Sequence, residues 1–212
     1  MKKHLSIFLL LSIVSVFLTA CSNNQNNAAE SVLSIYNLYI KDETSNVLTF
    51  GISEERALHT LSNHNDTLIQ NFKNNMSSAG LTVEDTTIEE IILARKSALK
   101  TMLATSEITS IKEEKAVVKL KTSYFDEATL NKKAAEDAIK KAKESDSSSQ
   151  KKLLQLATKY YTQNLIDAYL AVTPSDEMKE LEINCILSGN TWLPEDMTSF
   201  GKELGLIISG QK

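Results

Sequence analysis

Lys115-Ala116-Val117-Val118-Lys119-Leu120-Lys121-Thr122-Ser123-Tyr124 is the stretch that decides the fold. Laid out as extended chain, it puts Ala116, Val118, Leu120, Thr122 and Tyr124 on one side. Val117, Lys119, Lys121 and Ser123 fall on the other. A period of two with one charged side predicts a half-buried antiparallel strand. Upstream, apolar residues recur every three or four positions, which is the period of amphipathic helices. A chain that changes period in this way is α+β.

Working back from that strand, Glu113-Glu114 reads as a turn and 107–112 as the partner strand. Residues 28–41 carry Val32, Ile35, Tyr36 and Tyr39 at helical spacing, a first amphipathic helix. A break over 44–51 holds an apolar patch of Val47, Leu48 and Phe50. Ser53 then suits the N-cap of a second helix, with Leu58, Leu61, Leu68, Phe72 and Met76 on one face and Ala79-Gly80 at its end. Thr87-Ile88-Glu89-Glu90 has the form of a capping box opening a third helix, striped by Ile88, Ile91, Ile92, Leu99, Met102 and Leu103.

Downstream, Asp126 caps an alanine- and lysine-rich helix running to about residue 143, and the serine-rich 144–150 is a loop. A fifth helix follows, with Leu153, Leu156, Tyr160, Leu165, Tyr169 and Val172 toward one side, stopped by Pro174. Residues 179–188 alternate again, with Leu181, Ile183, Cys185 and Leu187 in phase. Gly189-Asn190 is a hairpin signal, Thr191-Trp192-Leu193 a short return strand. Pro194 reads as lying near the start of a last helix bearing Met197, Phe200, Leu204 and Ile207. The expected architecture is several helices on one face of a small antiparallel sheet, forming one domain over 28–212.

The N-terminus has a different character. Lys2 and Lys3 precede an apolar run, Leu5 to Phe17, broken only by Ser6, Ser12 and Ser15. As a helix, 5–20 would span about 24 Å, short of a hydrocarbon core of roughly 30 Å. It reads as a secretory leader, residues 1–20. Leu18-Thr19-Ala20-Cys21 follows, and it resembles the lipobox of bacterial lipoproteins. That resemblance implies cleavage before Cys21 and a diacylglyceryl group on its thiol, with further acylation of the palmitate type. One acyl chain holds a protein to a membrane only marginally, whereas two hold it stably. Residues 21–27 then form the lipidated cysteine and a polar tether with nothing to bury. The implied address is the extracytoplasmic face of the cell membrane, and the asparagine-rich tether leans toward a Gram-positive envelope. Some Gram-positive lipoprotein leaders also release apolar pheromone peptides, and Ser15-Val16-Phe17-Leu18-Thr19-Ala20 is similar to one.

Charge and composition narrow the partners. The chain has 23 basic and 27 acidic residues, a formal charge of −4. Loss of Lys2 and Lys3 with the leader takes this to −6. A mildly acidic protein without clustered Lys or Arg is a poor nucleic-acid binder. With Cys21 acylated, only Cys185 remains, so no internal disulfide can form; its in-phase strand position predicts a buried thiol.

Chemistry-bearing patterns are sparse. No glycine-rich phosphate loop, nucleophile elbow, CxxC pair or HExxH occurs, so no cofactor, metal site or catalytic residue is assigned. His59 and His64 lie about 140° apart on a helix and read as polar surface. Neighbouring carboxylates sit mostly at helix starts, where they favour the dipole. The lysines between 132 and 143, diluted by Glu136 and Asp137, read as a solvated face.

The order of elements and the Gly189-Asn190-Thr191-Trp192 turn resemble small Gram-positive surface lipoproteins with a cystatin-like or nuclear-transport-factor-like fold. That resemblance implies a curved sheet around a long helix, and Tyr36, Tyr124 and Trp192 as candidates to line a pocket. The leading expectation is a lipid-anchored, non-catalytic binding module for an envelope protein or small ligand. The alternative is an exported enzyme, which would gather two titratable side chains beside Trp192 or Tyr124.

Overall fold

The computed structural model describes residues 28–48, 50–145, 147 and 149–211. The leader, Leu18-Thr19-Ala20-Cys21 and the tether lie outside the described residues. Eleven elements follow in order: α1 (Ala28–Lys41), α2 (Ser45–Leu48), α3 (Glu54–Ser78), α4 (Asp85–Lys100), β1 (Ala104–Lys112), β2 (Lys115–Thr122), α5 (Glu127–Lys143), α6 (Gln150–Ala171), β3 (Lys179–Ser188), β4 (Thr191–Pro194) and α7 (Met197–Ile208). The fold is α+β, as the period change predicts.

The sheet has the order β1-β2-β3-β4 and is antiparallel throughout. Its inner face follows the alternation read from β2. Ala116 faces Cys185, Val118 faces Ile183 and Leu120 faces Leu181 across the β2–β3 pair. All six are buried. The outer face carries a charge ladder, Glu107–Lys121–Glu180–Lys119, with N···O distances of 3.4–3.5 Å. Such exposed pairs contribute about 0–1 kcal/mol each and chiefly keep this face wet. A bulge between Ile108 and Ser110 interrupts β1, the sheet edge.

The first helix departs from expectation. Eleven of its fourteen residues are buried, including Ser31, Ser34 and Asn37. It packs against β1, β2 and β4 on one side and α3 and α4 on the other. A helix covered on both sides is a core helix, not an amphipathic surface one.

Helix ends are built as their sequences suggest, with exceptions. Ser53 Oγ accepts from Arg56 N, Asp126 Oδ1 from Thr129 N, and Asp196 Oδ1 from both Thr198 N and Ser199 N. Gly80, at φ +75°, follows α3 in the left-handed conformation that glycine favours. The third long helix starts at Asp85, two residues before the expected capping box, and Thr87 lies inside it. Leu58 and Leu103 are 53% and 68% exposed, so Ala57 takes the place of Leu58 beside Leu61, Leu68, Phe72 and Met76 on α3, and the α4 line ends at the buried Met102 just past the helix. Alanine met no apolar count at position 57, and a leucine at the limb of a stripe looks no different from one at its centre. On α6 the buried line is Thr158, Thr162, Leu165 and Tyr169; Leu153, Leu156 and Tyr160 are half-buried. Pro194 closes β4, and Asp196 starts the last helix. Residues 45–48 form a single helical turn that buries Val47.

Between β2 and β3 the chain leaves the sheet to make the α5–α6 hairpin. Its main contacts are internal and with α4. Ala134, Ala138 and Ala142 recur every fourth residue and are buried, which lets α6 approach closely. Asn164 Nδ2 donates to the Ala134 carbonyl at 3.1 Å and fixes the register of the two helices.

Candidate functional site

The three aromatic candidates separate. Tyr36, on α1, is fully buried, with 2.8 Å between its hydroxyl and Thr122 Oγ1. Burial pushes its phenol up to about 12, against the opposing pull of the Thr122 hydrogen bond. Trp192, on β4, is buried in the same core. Tyr124 lies just past β2 and is half-buried, its hydroxyl donating to Glu177 Oε2 at 3.3 Å. Lys179 Nζ sits 4.9 Å from its ring centroid. Two titratable groups therefore meet Tyr124, with Glu177 exposed.

A groove of about 930 Å³ opens elsewhere, between the end of α3 and the α5–α6 hairpin. Met76, Ala79 and Leu81 form one wall, Ala135, Ala138 and Ile139 another, and Leu154, Ala157, Thr158 and Tyr161 a third. Tyr36, Tyr124 and Trp192 do not line it. Ile139 and Leu154 are about half exposed at its rim.

Polar groups gather at one end of this groove. Arg95 Nε, from α4, meets Glu127 Oε1 at 2.7 Å, with side-chain exposures of 11% and 3%. Burial works against the Arg95 charge, but the Glu127 carboxylate and the Tyr169 hydroxyl outweigh it and hold the guanidinium above its usual pKa. Asn131 Nδ2 donates to the Glu127 carbonyl at 2.7 Å, and Tyr161 donates to Asn131 Oδ1 at 2.9 Å. Burial pushes the Tyr161 phenol up to about 12. Thr158 Oγ1 donates to the Leu154 carbonyl at 2.8 Å. These groups are engaged with one another, so they form a fixed polar floor rather than a set of free acids and bases.

Sequence reasoning missed this site. Its signal was the four-residue alanine spacing of α5, since alanines leave room between helices. Arg95 and Glu127 lie 32 residues apart, and no local pattern joins them.

His64 also differs from expectation. It is half-buried, not polar surface, and stands edge-on to Tyr39 with ring centroids 5.3 Å apart. Burial first, then Arg95 and Lys96, lower its pKa to about 4, with Asp42 opposing. Asp42 holds Lys96 at 2.7 Å, and Lys96 also donates to Asn65 Oδ1 at 2.8 Å. Cys185 is buried, and burial pushes its thiol up to about 12. Among the described residues no three His, Cys, Asp or Glu side chains are placed to hold a metal ion.

No protein-family model matches the chain, and no curated protein matches it. A solved structure does: that of ycdA, a candidate lipoprotein from Bacillus subtilis. The TM-score is 0.61 at 14% identity, over 85% of this chain and 55% of that one. The chain thus spans about half the length of ycdA, and the two share a fold.

Proposed function

We propose that this chain is a lipid-anchored extracytoplasmic protein, acylated on the Cys21 thiol and then cleaved behind Ala20, with residues 28–212 serving as a non-catalytic binding domain. Its ligand site is the groove between α3, α5 and α6. The observation that carries the binding role is the composition of that groove: apolar walls and a floor whose polar groups are already engaged. A pocket of 300–1,000 Å³ with a few fixed polar groups is the usual form of a small-ligand site. A floor with no free base or nucleophile suits retention of a ligand better than its conversion.

Three facts support the anchor. The leader ends in Leu18-Thr19-Ala20-Cys21. No helix of the described residues is long and apolar enough to cross a membrane. The fold is shared with a candidate lipoprotein. Growth of expressing bacteria with a clickable palmitate tests the anchor. The wild-type protein should take the label, fractionate with membranes and start at Cys21 by mass spectrometry. Cys21→Ser should carry no label and keep its leader. A wild-type protein recovered soluble, with position 21 unmodified, refutes the anchor.

A further inference from the structure

Resting on that groove as the binding site, we infer that its ligand is a free amphiphile with a single long acyl chain and an anionic head. The shape of the groove supplies the first reason. Its lining follows α5 from Asp126 to Ile139, about 20 Å at 1.5 Å per residue. Its 930 Å³ are drawn out along one helix rather than gathered into a round cavity. An extended acyl chain can lie along such a trough.

Polarity supplies the second reason. Along its length the groove offers Ala135, Ala138, Ile139, Leu154 and Ala157. An extended peptide or a sugar would bury donors and acceptors there without partners, at about 1–3 kcal/mol for each. Hydrocarbon carries no such cost.

The third reason is charge at the rim. Lys132 lies along the lining with its side chain 75% exposed, and its contact with Glu136 stretches to 3.9 Å. The other charged rim residue, Asp126, has its carboxylate occupied by the Thr129 amide and hydroxyl at 2.9 and 2.6 Å. Glu127 is neutralised by Arg95 at 2.7 Å. Asp126 keeps its charge, but Lys132 stands six residues and about 9 Å further along the helix, an exposed cation of the lining placed to meet a headgroup.

The test uses the full chain with Cys21→Ser, which has no acyl group of its own, in the bacterial membranes where it is made. A palmitate analogue bearing a diazirine and an alkyne is added, the membranes are irradiated, and labelled peptides are mapped by mass spectrometry. Label should appear in α5 and α6, around Ala135 and Leu154, and unlabelled palmitate should compete it away. Ala135→Trp fills the groove and should cut labelling at least tenfold, with the circular dichroism spectrum unchanged. Lys132→Glu, a surface change that leaves the groove open, should lower labelling about fivefold with palmitate. With the corresponding uncharged alcohol probe it should leave labelling unchanged. If Ala135→Trp fails to fold, the Lys132→Glu pair of measurements decides. Label confined to other segments, or indifferent to both substitutions, overturns the inference. Because every arm lacks the Cys21 anchor, failure here is separate from failure of lipidation, which the palmitate-incorporation experiment reads.

Discussion

Replacing His64 by Phe should leave the protein nearly unchanged at pH 7.5 and make it more stable than wild type at pH 4.5. The native imidazole, half-buried against Tyr39 and near Arg95 and Lys96, has its pKa lowered to about 4. In the unfolded chain it returns to about 6.5. Above pH 6.5 both states hold it neutral, and it contributes nothing to pH dependence. Below 6.5 the unfolded state takes a proton that the native state refuses, so stability falls as pH falls, until the native pKa is reached. The gap of about 2.5 units at 1.36 kcal/mol each sets a total near 3 kcal/mol, of which about 2 to 3 kcal/mol is felt by pH 4.5. That is a large share of a typical 5–15 kcal/mol. Phe keeps a ring against Tyr39 and cannot titrate. Urea unfolding of the Cys21→Ser chain, with and without His64→Phe, at the two pH values isolates the effect from carboxylates common to both proteins. Parallel pH profiles for the two would refute the assigned environment of His64.

Arg95→Met should destabilise by about 3–5 kcal/mol, because it strands the Glu127 carboxylate at 3% exposure; pairing it with Glu127→Leu should recover most of the loss in thermal melts. Glu113, at φ +54° in the β1–β2 turn, occupies the left-handed region, so Glu113→Gly should raise stability by about 1 kcal/mol and the melting temperature by roughly 2–4 °C. The Cys185 thiol should resist an aromatic disulfide reagent at pH 8 in the native protein and react at once in urea, and rapid native labelling would contradict its burial.

The sheet was legible because its strands alternate cleanly and because a turn glycine sits at position 189, with φ +62°. The inner-face residues of β2 and β3 follow from the alternation alone, since a one-residue slip would send lysines inward. Helix ends were legible at Ser53 and Asp126, where a cap side chain bonds the backbone, and not at Glu84, which makes no side-chain cap bond, nor at Asp196, which was hidden behind the proline that closes β4. The groove was not legible. It is a space between three helices distant in sequence, and alanine, which shapes it, scores as neutral in any apolar stripe. The environment of His64 depends in the same way on Tyr39 from another helix.

The helical hairpin between β2 and β3 has a consequence for how the chain becomes a protein. The two central strands are neighbours in the sheet, yet residues 123–178 separate them. Closing such a loop costs about 3.5 kcal/mol beyond a constant term, before any strand contact repays it. During synthesis β2 emerges with β1 on one flank and nothing on the other, leaving the edge of Lys115-Ala116-Val117-Val118-Lys119-Leu120 open to other chains. Prior formation of α5 and α6 shortens the effective loop. The rate at which that hairpin nucleates therefore sets how long the nascent sheet stays exposed to aggregation.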